Sequence, residues 1–163
     1  MAALRAHSHV SDVQDNGCGA VRNICFGQMA AVARKQRAVD AGAIEAAVAA
    51  LRNHPQDVGV QDNGCGMLGN LCHGADAAGL SRKRRVMEAG TIEAAVAALL
   101  AYPQVDRVQE AGCAALRNVC AGGPQFSQRA AAAGAKVLVE RAVASFPQSA
   151  ILRNHGPILI AWL

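Results

Sequence analysis

Aromatic side chains are nearly missing: one Trp, one Tyr and three Phe stand in 163 residues, although just over half the chain is hydrophobic. That shortage excludes a core packed around large rings. Alanine, valine, leucine and cysteine must fill it instead, a mixture suited to closely packed helices, since Ala is the best helix former. Long apolar runs are missing too. No stretch approaches the roughly 18 uncharged apolar residues of a membrane span, and the opening MAALRAHSHV lacks the apolar run of a secretory signal. The expected compartment is therefore the cytosol or the nucleus. No two cysteines take the CxxC spacing of a zinc site, and no nucleophile elbow, phosphate loop or metal motif occurs. His7, His9, His54, His73 and His155 share no repeatable spacing with an acid and a nucleophile, although triads can be dispersed along a chain. The reading is of a non-enzyme with no metal and no cofactor. The length is that of one domain, spanning 1–163.

What the chain does have is repetition. VQDNGCG stands at Val13–Gly19 and again at Val60–Gly66, with a relative, VQEAGCA, at Val108–Ala114. The offsets, 47 and 48 residues, fall in the range of solenoids and arrays. Three further segments run from Gly to Pro over the same distance: GAIEAAVAALRNHP from Gly42, GTIEAAVAALLAYP from Gly90 and GAKVLVERAVASFP from Gly134. Within them Ile44, Val48 and Leu51, and likewise Ile92, Val96 and Leu99, recur at helical spacing. The leading Gly can end a preceding helix in a left-handed conformation, and the closing Pro stops the helix. A second helix follows each Pro, over about 57–73 and 105–120, and a copy without its preceding partner opens the chain near 11–26. Shorter helices precede each Gly, at about 33–41, 81–89 and 125–133. The units are then about 8–26 (partial), 27–74, 75–122 and 123–163.

With VQEAGCAALRNVC on its third helix and RRVMEAGTIEAAVAALL across its first two, this three-helix unit resembles an armadillo repeat. The resemblance covers nearly the whole chain and implies an all-α, right-handed superhelix of about three repeats plus a leading third helix. Its period exceeds the usual armadillo length by about five residues, a surplus placed in FGQMAAVARKQ and HGADAAGLSRK, where exposed loops are expected. HEAT repeats, with two helices per unit, are the alternative. Gly17, Gly64 and Gly112 hold the position where one helix crosses another closely. Gly19, Gly66 and Gly69 have no such account and are expected to loosen their helices.

The six cysteines form pairs seven apart: Cys18/Cys25, Cys65/Cys72 and Cys113/Cys120. Seven residues are about 10.5 Å along a helix, too far for a disulfide within a pair. They read as small buried packing groups, with redox chemistry as the alternative.

In armadillo proteins the third helices line a concave groove, whose Asn bonds the backbone of an extended peptide. An amide supplies both a donor and an acceptor, which suits a peptide unit whatever its side chain. Carried over residue by residue, the groove would hold Asn23, Asn70 and Asn118, with Asn16 and Asn63 two turns earlier and with Arg22 and Arg117. The alternative is that these Asn face water or bond neighbouring helices. Grooves that take nuclear-import cargo place Trp four residues before the Asn; here Gly19, Gly66 and Ala114 stand there, which argues against such cargo. Arg107 adds positive charge and Asp12, Asp15, Asp62 and Glu110 negative, so no charge preference is legible.

The resemblance implies a scaffold that binds a protein or extended peptide. The rival is an electrostatic binder of nucleic acid or anionic lipid, using a basic strip of Arg34, Lys35, Arg37, Arg82, Lys83, Arg84 and Arg85. The net charge of +4 does not by itself mark a nucleic-acid binder, and the bland reading of the strip is a solvated helix face. SRKRR (Ser81–Arg85) also resembles a nuclear-localisation run. ILIAWL at the end, with Pro157 where other copies have Cys, predicts a break in the last helix. It also predicts an apolar end that makes the chain part of a longer array or lets it self-associate.

Overall fold

Each of the three Gly–Pro segments becomes a helix whose first residue follows a glycine in the left-handed region. Gly42, Gly90 and Gly134 have φ of 81°, 86° and 82°, values that a side chain would make costly. The computed structural model describes residues 1–27 and 31–163. Among them are eleven helices and no strand. They are α1 (Ala2–Ala6), α2 (Ser11–Ile24), α3 (Val32–Asp40), α4 (Ala43–Asn53), α5 (Val58–Cys72), α6 (Ala77–Glu88), α7 (Thr91–Ala101), α8 (Asp106–Cys120), α9 (Pro124–Ala132), α10 (Ala135–Ser145) and α11 (Ala150–Trp162). The protein is all-α, and no helix among the described residues is long and apolar enough to cross a membrane.

Two rows organise the packing. Helices α2, α5, α8 and α11 pack side by side in chain order, and α1, α4, α7 and α10 form a parallel row behind them. What lets the rows approach is a glycine in every front helix. A Cβ on Gly64 would stand 2.8 Å from Leu51 Cδ2, and one on Gly112 2.8 Å from Leu99 Cδ2; Gly17 meets Leu4 and Gly156 meets Val143 in the same way. The glycines without an account acquire one. Gly69 has the backbone of Ala115 3.3 Å from where its Cβ would be, so α5 and α8 touch main chain to side. Gly19 leaves room for Asn63, and Gly66 for Arg22, each reaching across from the neighbouring front helix.

The rows are also joined by a glutamine, which sequence reasoning passed over. Gln61 is 3% exposed, and its Nε2 donates to Leu51 O at 2.8 Å and His54 O at 3.1 Å. Gln109 repeats this on Leu99 O and Tyr102 O, both at 2.9 Å. Leu51 O and Leu99 O would normally accept from the residue four further on, but those residues are Pro55 and Pro103, which have no N–H. Gln14 does the same for Leu4 O at 3.0 Å and His7 O at 2.9 Å.

That last bond corrects an expectation. The chain does not open on an unpartnered third helix, because α1 supplies the end of a preceding second helix. Buried Leu4 fills the place of Leu51 and Leu99. Two other expectations also change. The surplus in HGADAAGLSRK lengthens α6, which Asp76 caps by accepting from Gly79 N at 2.8 Å; only a short connection remains. Of FGQMAAVARKQ, residues 28–30 lie outside the described residues. And α11 runs through Pro157 without a break. Pro157 is on an exposed face, so the carbonyl it leaves unpaired meets water. Leu152, Gly156 and Leu159, at helical spacing, are buried on the other side and hold both halves against α8 and α10.

All six cysteines are buried, joining Ile44, Leu68, Leu71, Ile92, Leu116 and Val119 in one continuous core. Burial pushes the thiols of Cys18, Cys65, Cys72 and Cys113 up to about 12 and that of Cys120 to about 11. Cys25 moves the same way. They behave as small apolar side chains, as their spacing suggests.

Candidate functional site: a polar cleft over the front helices

The front row ends its inner face in a cleft of about 350 Å³ between α2, α5, α8 and α11. Its floor is built from small residues, Gly66 and Gly69 of α5 and Ala111 and Ala114 of α8. The walls are polar: Arg22, Asp62, Asn70, Arg107, Glu110, Arg117, Asn118 and two imidazoles, His73 and His155. Phe26, 72% exposed, and Ile151 close its ends.

The wall residues hold one another in register with the repeat. Asn70 Nδ2 donates to Arg22 O at 2.9 Å, and Asn118 Nδ2 donates to Gly69 O at 3.0 Å. Each Asn thus ties its helix to the residue preceding the equivalent Asn position one unit earlier. Arg22 reaches forward to Asp62 at 2.9 Å and to Asn63 Oδ1 at 3.1 Å, and Asn63 Nδ2 donates to Asp15 at 2.7 Å. Burial pushes the Asp62 carboxyl up, against the pull of Arg22. Burial lowers both imidazoles. Next in effect come Lys35, Lys83, Arg117 and Arg82 around His73, and Arg117 beside His155. Both rings are therefore neutral near pH 7. Glu110 accepts from Ser149 Oγ at 2.5 Å, and that hydroxyl in turn accepts from Leu152 N at the start of α11.

Of the groove residues read from sequence, Arg22, Asn70, Arg117 and Asn118 come together in the cleft. Asn23 is exposed on α2, outside the cleft lining. Asn16 is exposed too and donates to Asp12 O in its own helix at 2.7 Å. Asn63 serves the contact between α2 and α5. Asn70 and Asn118 each spend one N–H on a neighbouring helix, and Asn118 Oδ1 also accepts from Arg117 Nη1 at 3.2 Å, which leaves the second N–H of each amide and the Asn70 oxygen for a ligand. Asn70→Ala is accordingly expected to lower stability by about 0.5–1.5 kcal/mol; a thermal melt unchanged from the parent would contradict this placement.

The basic strip divides. Lys35, Arg82 and Lys83 are 2%, 2% and 4% exposed, so they are not solvated. Arg34 Nε donates to Ile24 O at 2.7 Å and Arg82 Nε to Leu71 O at 2.8 Å. Lys35 Nζ donates to Gly27 O at 2.9 Å and Lys83 Nζ to Gly74 O at 2.5 Å. These cations close the carboxyl ends of α2 and α5, where unpaired carbonyls and the helix dipole favour positive charge. In the next unit Phe126 and Ser127 take their places, buried beside the end of α8. Arg85 pairs with Glu45 at 2.8 Å. Only Arg37 and Arg84 of the seven are exposed. A continuous basic face is absent among the described residues.

His155 and His73 were the residues the sequence reading missed. A signal existed for His155: it occupies in α11 the register of Asn16 and Asn63, one residue before the crossing glycine, Gly156. No family model, no curated protein and no solved structure matches the chain significantly.

Proposed function

We propose that this protein is a non-enzymatic interaction module of armadillo type, an α-solenoid that holds an extended segment of a partner protein in the cleft over α5 and α8. The observation that carries the reading is the cleft itself: about 350 Å³ lined by Gly66, Gly69, Ala111 and Ala114 together with side chains that offer both donors and acceptors. The order of short helix, back-row helix and front-row helix repeats with the sequence period and supports the solenoid. Phe26, a large apolar side chain left exposed at the cleft's end, fits the aromatic anchors that concentrate binding energy at interfaces.

The rival electrostatic reading loses its support with the burial of Lys35, Arg82 and Lys83. Peptide-phage selection on the immobilised chain, followed by titration of the selected peptides, tests the proposal. Ala114→Trp would fill the cleft floor and is expected to weaken binding by more than about tenfold, a loss of about 1.4 kcal/mol or more, with helicity retained. Selected peptides that bind the variant as tightly as the parent would place recognition elsewhere.

A further inference from the structure

The polar groups of the cleft are unevenly engaged. Its acids are occupied: Asp62 holds Arg22, and Glu110 accepts from the hydroxyl that starts α11. Its donors are not. Arg117 Nε is buried with no hydrogen-bond partner among the described residues, and so is His155 Nδ1, although the Arg117 Nη1 group reaches Asn118 Oδ1 at 3.2 Å. Arg107, on the same wall of α8, is exposed and makes no side-chain bond among the described residues. A buried guanidinium nitrogen without an acceptor costs free energy in the absence of a ligand. An arginine fork is the donor that matches the two oxygens of a carboxylate.

We propose that the cleft selects a partner segment carrying an acidic side chain, with an Asp or Glu carboxylate received by the guanidinium groups of Arg107 and Arg117. The proposal rests on the cleft being the peptide site. It adds a specificity that the mixed count of charges along the helices does not show, because the count treats engaged and unengaged groups alike. The cleft lining carries three arginines, Arg22, Arg107 and Arg117, against two acids, Asp62 and Glu110, a balance that favours an anion. Glu110 and Asp62 remain as the fences that oppose anything bearing charge beyond one carboxylate.

The test uses acetylated, amidated ten-residue peptide libraries, degenerate in Ala, Leu, Ser and Asn, with Glu, Gln or Lys fixed at one central position. Binding to the full chain is read by fluorescence polarisation. The Glu library is expected to bind about tenfold more tightly than the Gln library, as a charge-assisted bond implies, and the Lys library more weakly still. Arg107→Gln, at an exposed position whose melt should match the parent, is expected to shrink the Glu preference several-fold, and Arg107→Glu to reverse it towards Lys. Equal binding of all three libraries, still weakened by Ala114→Trp, would overturn the acidic preference and leave the cleft as the site. No measurable binding of any library would overturn both readings. Tighter binding of a single-stranded oligonucleotide than of the Glu library, falling steeply with added salt, would overturn the choice of partner.

Discussion

Raising the pH from about 8 to about 10 is expected to remove about 7 kcal/mol of stability, enough to unfold a domain of ordinary stability. Five thiols carry this. Cys18, Cys65, Cys72 and Cys113 are held up at about 12 and Cys120 at about 11, from an ordinary 9.0, by burial above all. In the unfolded chain they ionise through pH 9, while in the folded protein they keep their protons. The folded state therefore binds more protons in that window, and stability, complete below pH 9, falls as pH rises towards the folded values. Each such thiol contributes a slope of about 1.4 kcal/mol per pH unit. Tyr102, also raised, adds in the same sense. Lys35 and Lys83, held down by burial, work in the opposite sense, but they are two against seven, Cys25 included. Thermal melts across this range should show the midpoint fall by roughly 15–25 °C, using about 2–4 °C per kcal/mol for a chain of this size. Replacing Cys65 and Cys113 by Ala should flatten the dependence by about two of the five slopes. A melting point constant from pH 8 to 10 would mean that the thiols are not buried as described.

The second large effect lies in the glutamines that join the rows. Gln61→Met keeps the volume and removes the donor, leaving Leu51 O without the hydrogen bond that Pro55 cannot give and His54 O with one fewer partner. The expected loss is about 2–4 kcal/mol, from one carbonyl left unsatisfied in a buried place and a second bond removed. Gln61→Glu should be at least as damaging at neutral pH, since a carboxylate would face two carbonyl oxygens. It should recover as pH falls: the acid, raised by that setting, stabilises below its unfolded value near 4.3 and loses its contribution as pH rises through the folded one. If Gln61→Met melts with the parent, the glutamine is only filler.

Much of this was legible. A Gly at a fixed distance before a Pro, with apolar positions at helical spacing between them, places α4, α7 and α10 nearly to the residue, because a left-handed glycine and an N–H-free proline leave the backbone few choices. The cysteines were legible for a similar reason: a pair spaced by two helical turns and repeated with the unit must share one face. Helix α1 was readable as well but lay upstream of the motif that drew attention. AALRAH at Ala2–His7 nearly repeats AALRNH at Ala49–His54, and the period of 47 carries straight through it.

The basic run shows what a sequence hides. Charge alone does not separate a solvated Arg–Lys pair from one turned inward on a helix end, because long stems let the head travel either way. Only the repetition of Arg34–Lys35 as Arg82–Lys83, each pair in the helix that follows a front-row helix, hints at capping. Pro157 shows the converse. Its local rule predicts a break, but packing of Leu152, Gly156 and Leu159 on one face decides, with the unpaired carbonyl left to water. The Asn positions were placed on the right helices. Which of their atoms remain for a ligand depends on how the helices stack, a quantity that no single unit encodes.

The central claim is that the cleft between the front helices receives an extended segment, and amide chemical-shift mapping with a phage-selected peptide tests it most directly. The account predicts that the largest shifts fall on Gly66, Gly69, Asn70, Ala114, Arg117 and His155, with α4, α7 and α10 unmoved. Shifts gathered on α4, α7 and α10, with the cleft floor unmoved, would contradict it.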